Sequence, residues 1–212
     1  MRRLAALASL ALLASQPLSA GDPAVGQYRV SEGPDIAGGL WLHADGQFEY
    51  GLAAGALDEQ AKGRWRRQGE SIVLTTTPRP RPPLFRMEPR AAPAAEAPTL
   101  LVTWPDGRGV PGVDFRLGFD SGEPIVDYTQ ETGWTLAPDE HRTPRWIELA
   151  VPMHGLVSPR FTLPPGPGTL RFVIVPNDIG TVDFEGTRAD IAEDKLVLHR
   201  DGGDMHFTRE RR

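Results

Sequence analysis

Past its first twenty residues the chain almost nowhere repeats apolar positions at helical spacing. It alternates them. Gly39-Leu40-Trp41-Leu42-His43 alternates, Ala44-Asp45-Gly46-Gln47 breaks the run, and Phe48-Glu49-Tyr50 alternates again. Asp-Gly between alternating runs is a strong hairpin signal, because Gly accepts the positive φ of a tight turn. Leu40, Leu42, Phe48 and Tyr50 then share one face, and Trp41 points the other way. Gly63-Arg64-Trp65-Arg66 sets Trp65 inward between two outward arginines, Gln68-Gly69-Glu70 turns, and residues 71–75 form the next strand. With residues 27–30 in front, about five strands follow one another antiparallel. Phe48, Tyr50, Trp65, Ile72 and Leu74 are the predicted interior of this meander. Between Leu52 and Lys62 the pattern fits either a continued strand with a bulge or a helical turn.

The next stretch carries seven prolines between Thr76 and Pro98. Proline at that density forbids helix and central strand, so an extended, solvated connection is expected, with one apolar knot at Leu84-Phe85-Arg86-Met87. A proline-motif ligand for another protein is the functional alternative there. Short β-rich runs then recur at 100–104, 112–119, 124–129, 133–136 and 145–151, separated by Gly, Pro and Asp, the spacing of a sandwich or barrel. The tail continues in strands, with a hairpin at 195–199 and 205–208 around Asp201-Gly202-Gly203-Asp204. The only helix expected past residue 20 is a two-turn segment at 188–194. The predicted division is a meander module over 21–76, a Pro/Arg-rich linker over 77–98, a sandwich module over 99–165, and C-terminal hairpins over 166–212. Those hairpins complete either the first module or the second.

Residues 1–20 have a different grammar. Arg2 and Arg3 precede an apolar run from Leu4 to Ala14 broken only by Ser9, and Leu18-Ser19-Ala20 follows. This is the pattern of a cleaved export signal, with cleavage expected after Ala20 and a periplasmic or secreted destination. Eleven helical residues rise only about 16 Å, too little for a hydrocarbon core of about 30 Å. The chain has no cysteine. A lipobox cysteine after Ala20 is therefore missing, and disulfides, thiolate catalysis and Cys-ligated metals are excluded. With 28 acidic and 23 basic residues the chain is mildly acidic, which argues against nucleic acid as a partner. Arg64 and Arg66 then belong to a solvated strand face.

Two resemblances emerge from these runs. Over residues 28–75 the spacing G-x-Y, L-W-L-x-x-D-G-x-F-x-Y-x-L, G-x-W-x-x-x-G-x-x-I-V-L-T resembles the lipocalin-like small β-barrels of bacterial envelope proteins. Closing such a barrel needs about three more strands, which residues 182–209 can supply. Over residues 100–151, Val-Pro-Gly-Val-Asp-Phe (110–115) and Thr-Gln-Glu-Thr-Gly-Trp-Thr-Leu (129–136) resemble the transthyretin-like or carboxypeptidase-regulatory-like β-sandwich. Those sandwich modules are mostly non-catalytic, so the resemblance implies architecture rather than activity. Together the two point to exported bacterial proteins that join these parts.

The sequence carries no familiar catalytic pattern. There is no G-x-S-x-G, no H-E-x-x-H, and no histidine pair at helical spacing among His43, His141, His154, His199 and His206. His199 and His206 flank a hairpin and, with Asp201 or Asp204, make a crude metal constellation. Solvated hairpin polar residues explain the same pattern, and no metal or cofactor site is assigned. Asn177-Asp178 with Asp183 lacks the ligand cadence of a calcium loop. Asp58-Glu59 and Asp139-Glu140 are adjacent acids in loops, the usual solvated kind. The expected protein is all-β, exported and non-catalytic. It binds a small apolar ligand behind Phe48, Tyr50, Trp65, Ile72 and Leu74, or an envelope protein through a surface around Trp41 or Trp134. The alternatives are a filled-core interaction scaffold and a hydrolase with an unrecognised site.

Overall fold

The computed structural model describes residues 21–94 and 96–211, and the expected leader with its cleavage point lies outside them. The described residues are all-β. Their one helical piece is a three-residue 3-10 turn, Pro152–His154. The chain divides into two compact units, one containing residues 21–55, 60–78 and 183–211, the other residues 56–59 and 79–182.

The first unit is a closed barrel. Its first five strands are β1 (Gly26–Val30), β2 (Ile36–Leu42), β3 (Gln47–Ala54), β4 (Leu57–Gln68) and β5 (Ser71–Thr76). They form a meander in which each strand pairs with the next. Asp45-Gly46 turns β2 into β3 as the sequence implies, with Gly46 at φ 80. The ambiguous stretch after Leu52 is a hairpin, with Gly55 at φ 61 between β3 and β4. The chain leaves the barrel after β5 and returns about a hundred residues later. It then adds three more strands in series, which we number with the second unit's strands in chain order.

The second unit holds β6 (Leu84–Met87), β7 (Leu100–Thr103), β8 (Asp114–Phe119), β9 (Ile125–Tyr128), β10 (Pro144–Val151), β11 (Leu156–Val157), β12 (Phe161–Thr162) and β13 (Leu170–Val175). The barrel resumes with β14 (Glu185–Ala192), β15 (Lys195–Arg200) and β16 (Gly203–Arg209). The barrel order is β1-β16-β15-β14-β5-β4-β3-β2, closing on itself. Closure runs through two long-range seams, Tyr28 opposite Arg209 and Val73 opposite Arg188. The helix expected at 188–194 is instead mostly strand β14. Ala189 is fully buried, and its neighbours Arg188 and Asp190 stand on the outer face, so a period of two wins once β5 and β15 flank the segment.

In the second unit β6, β13 and β7 form one sheet, and β11, β10, β8 and β9 form another, with β12 also on β10. The pair β7–β13 is parallel; every other strand pair of this unit is antiparallel. Phe85, Val102 and Phe172 from the first sheet share a core with Phe115, Leu117, Ile147 and Leu149 from the second. Two sheets facing across one apolar layer make a sandwich. The apolar knot of the proline-rich stretch is β6, an edge strand whose Phe85 anchors in that core, as proline on either side requires. The run 133–136 makes only isolated bridges, Trp134 to Leu100 and Gly133 to Gln130.

Candidate functional site

The state of the barrel interior separates a carrier from a scaffold. Phe48, Tyr50, Trp65, Ile72 and Leu74 are all buried, joined by Leu40, Leu42, Leu196, Leu198 and Phe207. Phe184, just before β14, packs in with them. Its ring centroid lies 5.8 Å from that of Phe48 and 5.2 Å from that of Tyr50, edge-on to the latter. An eight-stranded barrel has room either for its own side chains or for one small ligand, and here Phe184 supplies a filler from outside the meander. Polar atoms inside find partners. The Trp65 indole N–H donates to the His43 carbonyl at 2.9 Å, and the Tyr28 hydroxyl donates to the Ala24 carbonyl at 2.8 Å.

Two arginines on the last hairpin close over this core. Arg200 donates to the Tyr50 hydroxyl at 3.0 Å and lies 3.3 Å from the Met205 sulfur. At the other end of β16, Arg209 donates to the Tyr28 hydroxyl and to the carbonyls of Pro23 and Val25, tying down the segment ahead of β1. Burial pushes the Tyr28 phenol above its ordinary value, against the pull of the Arg209 charge. Neither arginine stood out in the sequence, because nothing local marks a bond to a tyrosine hydroxyl more than a hundred positions away.

The outer wall of β1–β3 is open. A cleft of about 680 Å³ lies there, lined by Gln27, Arg29, Gly39, Trp41, Glu49 and Gly51 among others. Register explains it. Gln27, Trp41 and Glu49 stand in one row across the three strands, and Arg29, Gly39 and Gly51 in the next. Trp41 is 43% exposed. Its ring rests on the His43 imidazole with centroids 4.3 Å apart, and His43 Nε2 meets Glu49 Oε1 at 3.2 Å. Arg29 pairs with Glu210 at 2.6 Å along the rim. A second cleft, of about 740 Å³, adjoins on the far side of Trp41, against Asp22, Val25 and Arg209. Trp41 is thus a wall shared by two clefts. The structure places Trp134 differently. It stands edge-on to Phe115 at 4.9 Å, half-buried against the sandwich core, and its indole N–H donates to Asp127 at 2.8 Å.

Apart from Tyr28, which borders the first cleft, the ionisable groups with displaced proton affinity lie away from these clefts. On the barrel wall His199 is held between Asp204 (2.8 Å to Nδ1) and Asp190 (3.0 Å to Nε2). Asp190 also accepts from Ser71 at 2.7 Å and from Arg188 at 2.8 Å. Hydrogen bonds to Asp204 and Asp190 raise the imidazole above its ordinary value. Ser71, His199 and Arg188 hold Asp190 down to about 2. His206 stands opposite Val197, one row away from His199. Among the described residues no group of three His, Cys, Asp or Glu side chains is arranged to hold a metal. In the second unit, Glu140 is held at about 2 by hydrogen bonds from Arg142, whose guanidinium also lies 4.3 Å from the Phe119 ring. Asp58-Glu59 and Asp178 take no part in either cleft.

Comparison with known proteins matches no family model, no curated protein and no solved structure.

Proposed function

We propose that this protein is an exported, non-catalytic binding module that presents its ligand site on the outside of a filled barrel, at Trp41. The carrying observation is the pairing of an occupied interior with an open exterior. Phe184 sits against Phe48 and Tyr50 where an apolar ligand would lie, while Trp41 is left 43% exposed beside a cleft of about 680 Å³. Tryptophan is enriched among the residues that carry binding energy at interfaces, and Trp41 stands exposed among polar groups at the mouth of a cleft. The interaction reading is therefore favoured over an interior carrier of small apolar molecules.

The lipocalin-like reading of the first unit draws support from eight strands in serial meander order, with the second unit inserted after the fifth. The transthyretin-like reading of the second unit draws support from its two facing sheets. Binding rather than turnover is favoured by the polar clusters. His199 and Arg142 are each committed to carboxylates in ion pairs, and neither lines the Trp41 cleft.

Native mass spectrometry of protein taken from its own envelope, together with fluorescence titration by an apolar fatty-acid probe, tests the reading. The expected result is no saturable uptake of the probe, and a co-purifying partner that is lost in Trp41→Ala. Stoichiometric uptake of the probe, abolished by a larger residue in the barrel core and unaffected by Trp41→Ala, overturns it.

A further inference from the structure

The geometry points to a neutral oligosaccharide as the occupant of the Trp41 cleft. This inference rests on the exterior-site reading and adds the chemical class of the ligand.

At Gly51 the floor of the cleft is cleared of a side chain for no internal reason. Gly51 lies mid-strand in β3, where glycine costs roughly 0.5–1 kcal/mol relative to alanine. Its φ is not in the left-handed region, and a Cβ there would meet nothing within 4 Å. Neither backbone geometry nor packing within the chain calls for glycine at that place. Its row neighbour Gly39 differs, since a Cβ there would come 2.7 Å from the Tyr28 carbonyl oxygen. The β2–β3 register runs unbroken past Gly51, so no bulge between those strands accounts for it, and admitting a ligand close to the backbone is a recognised role of such a strand glycine.

The walls select among candidates. An extended peptide gains its affinity by adding to a free sheet edge, and β1, β2 and β3 each have both edges paired in the closed barrel. A phosphate or sulfate ligand needs net positive charge. Here Arg29 is matched by Glu210 at 2.6 Å and outnumbered once Glu49 is added. A purely apolar ligand would strip water from those same ionised groups with nothing to replace it. A sugar ring fits what remains. It has a weakly apolar face for the exposed Trp41 ring and hydroxyls for flat, bidentate polar side chains. Gln27 and Glu49 flank Trp41 in the same row, and Arg29 stands one row on.

The test uses the full chain with chitohexaose, cellohexaose and maltohexaose as probes, read by calorimetry. At least one is expected to bind, and Trp41→Ala is expected to weaken it by about tenfold or more. Gly51→Val is the sharper variant, because its Cβ enters open space on the cleft floor and valine favours the strand. Its unfolding midpoint is expected to hold or rise while binding is lost. Failure of the wild type to bind any of the three overturns the sugar assignment, as does binding undiminished in a folded Gly51→Val. If the sugars fail but a polypeptide co-purifies with the wild type and not with Trp41→Ala, the exterior site stands and only its ligand class falls.

Discussion

At the scale of single residues, the most consequential side chain is Phe184. It is 2% exposed and lies outside every strand of the barrel it fills. Truncating it leaves a hole between Phe48 and Tyr50, so Phe184→Ala should lower unfolding free energy by about 3–5 kcal/mol in a denaturant titration. The same experiment asks whether the emptied barrel gains affinity for a small aromatic molecule, which the wild type is expected to lack. His199 yields a pH prediction whose sign is fixed by its partners. Asp204 and Asp190 raise its folded-state value above 6.5. Its contribution is therefore fully present below the unfolded value and is lost as pH rises through the folded one. Asp190 behaves oppositely. Its folded value, about 2, lies below the ordinary 3.8, so its contribution is present above 3.8 and is lost as pH falls towards 2. The cluster acts in full between about pH 4 and pH 6.5. Thermal unfolding across pH should decline above that window in the wild type, and His199→Gln should flatten the decline. These groups are largely exposed, so the measurable quantity is the shape of the profile.

At the scale of elements, alternation carries most of the information. Phe48, Tyr50, Trp65, Ile72 and Leu74 face inward and Trp41 faces outward because a strand's side chains change sides at every residue. The Asp45-Gly46 and Gln68-Gly69 turns were legible for the same local reason. What escaped the sequence was long-range. Arg188 to Asp194 has helix-compatible residues, and only pairing with β5 and β15 makes most of that segment a strand. Whether the tail closed the first module or the second was equally unreadable, since one hairpin's apolar face fits either. The cleft was half legible. Trp41 stood out, but Gly39 and Gly51 acquire meaning only when register sets them side by side. The two glycines also separate by experiment. Gly39→Ala pushes a Cβ against backbone and should destabilise the barrel, whereas Gly51→Ala meets open space and should stabilise it by up to about 1 kcal/mol. Urea unfolding of the two single variants checks the contrast. Equal effects would mean that the register across β1–β3 is wrong.

At the scale of the whole molecule, the series of barrel strands is broken once, between β5 and β14, and the break begins and ends at one place. The Thr76 N–H donates to the Phe184 carbonyl at 2.9 Å, and the Phe184 N–H returns a bond to Thr76 Oγ1 at 2.9 Å. The chain ends left by removing the insertion are thus neighbours. Replacing residues 79–182 with a short glycine-serine turn should leave a barrel that unfolds in one cooperative transition, because closing so short a gap costs little entropy. A chain without fixed tertiary structure, by near-ultraviolet circular dichroism, would mean that the first unit depends on the second. The ring also imposes an order of events. β1 finds one of its two neighbours only in β16, with Arg29 opposite Thr208 across most of the polypeptide. A nascent chain emerging from the ribosome therefore offers its first strand long before its last exists. Until then it is a bare ribbon edge, open to pairing with strangers. Shortening the chain by the few residues of β16 would make that waiting permanent, trading a sealed cylinder for two sticky margins.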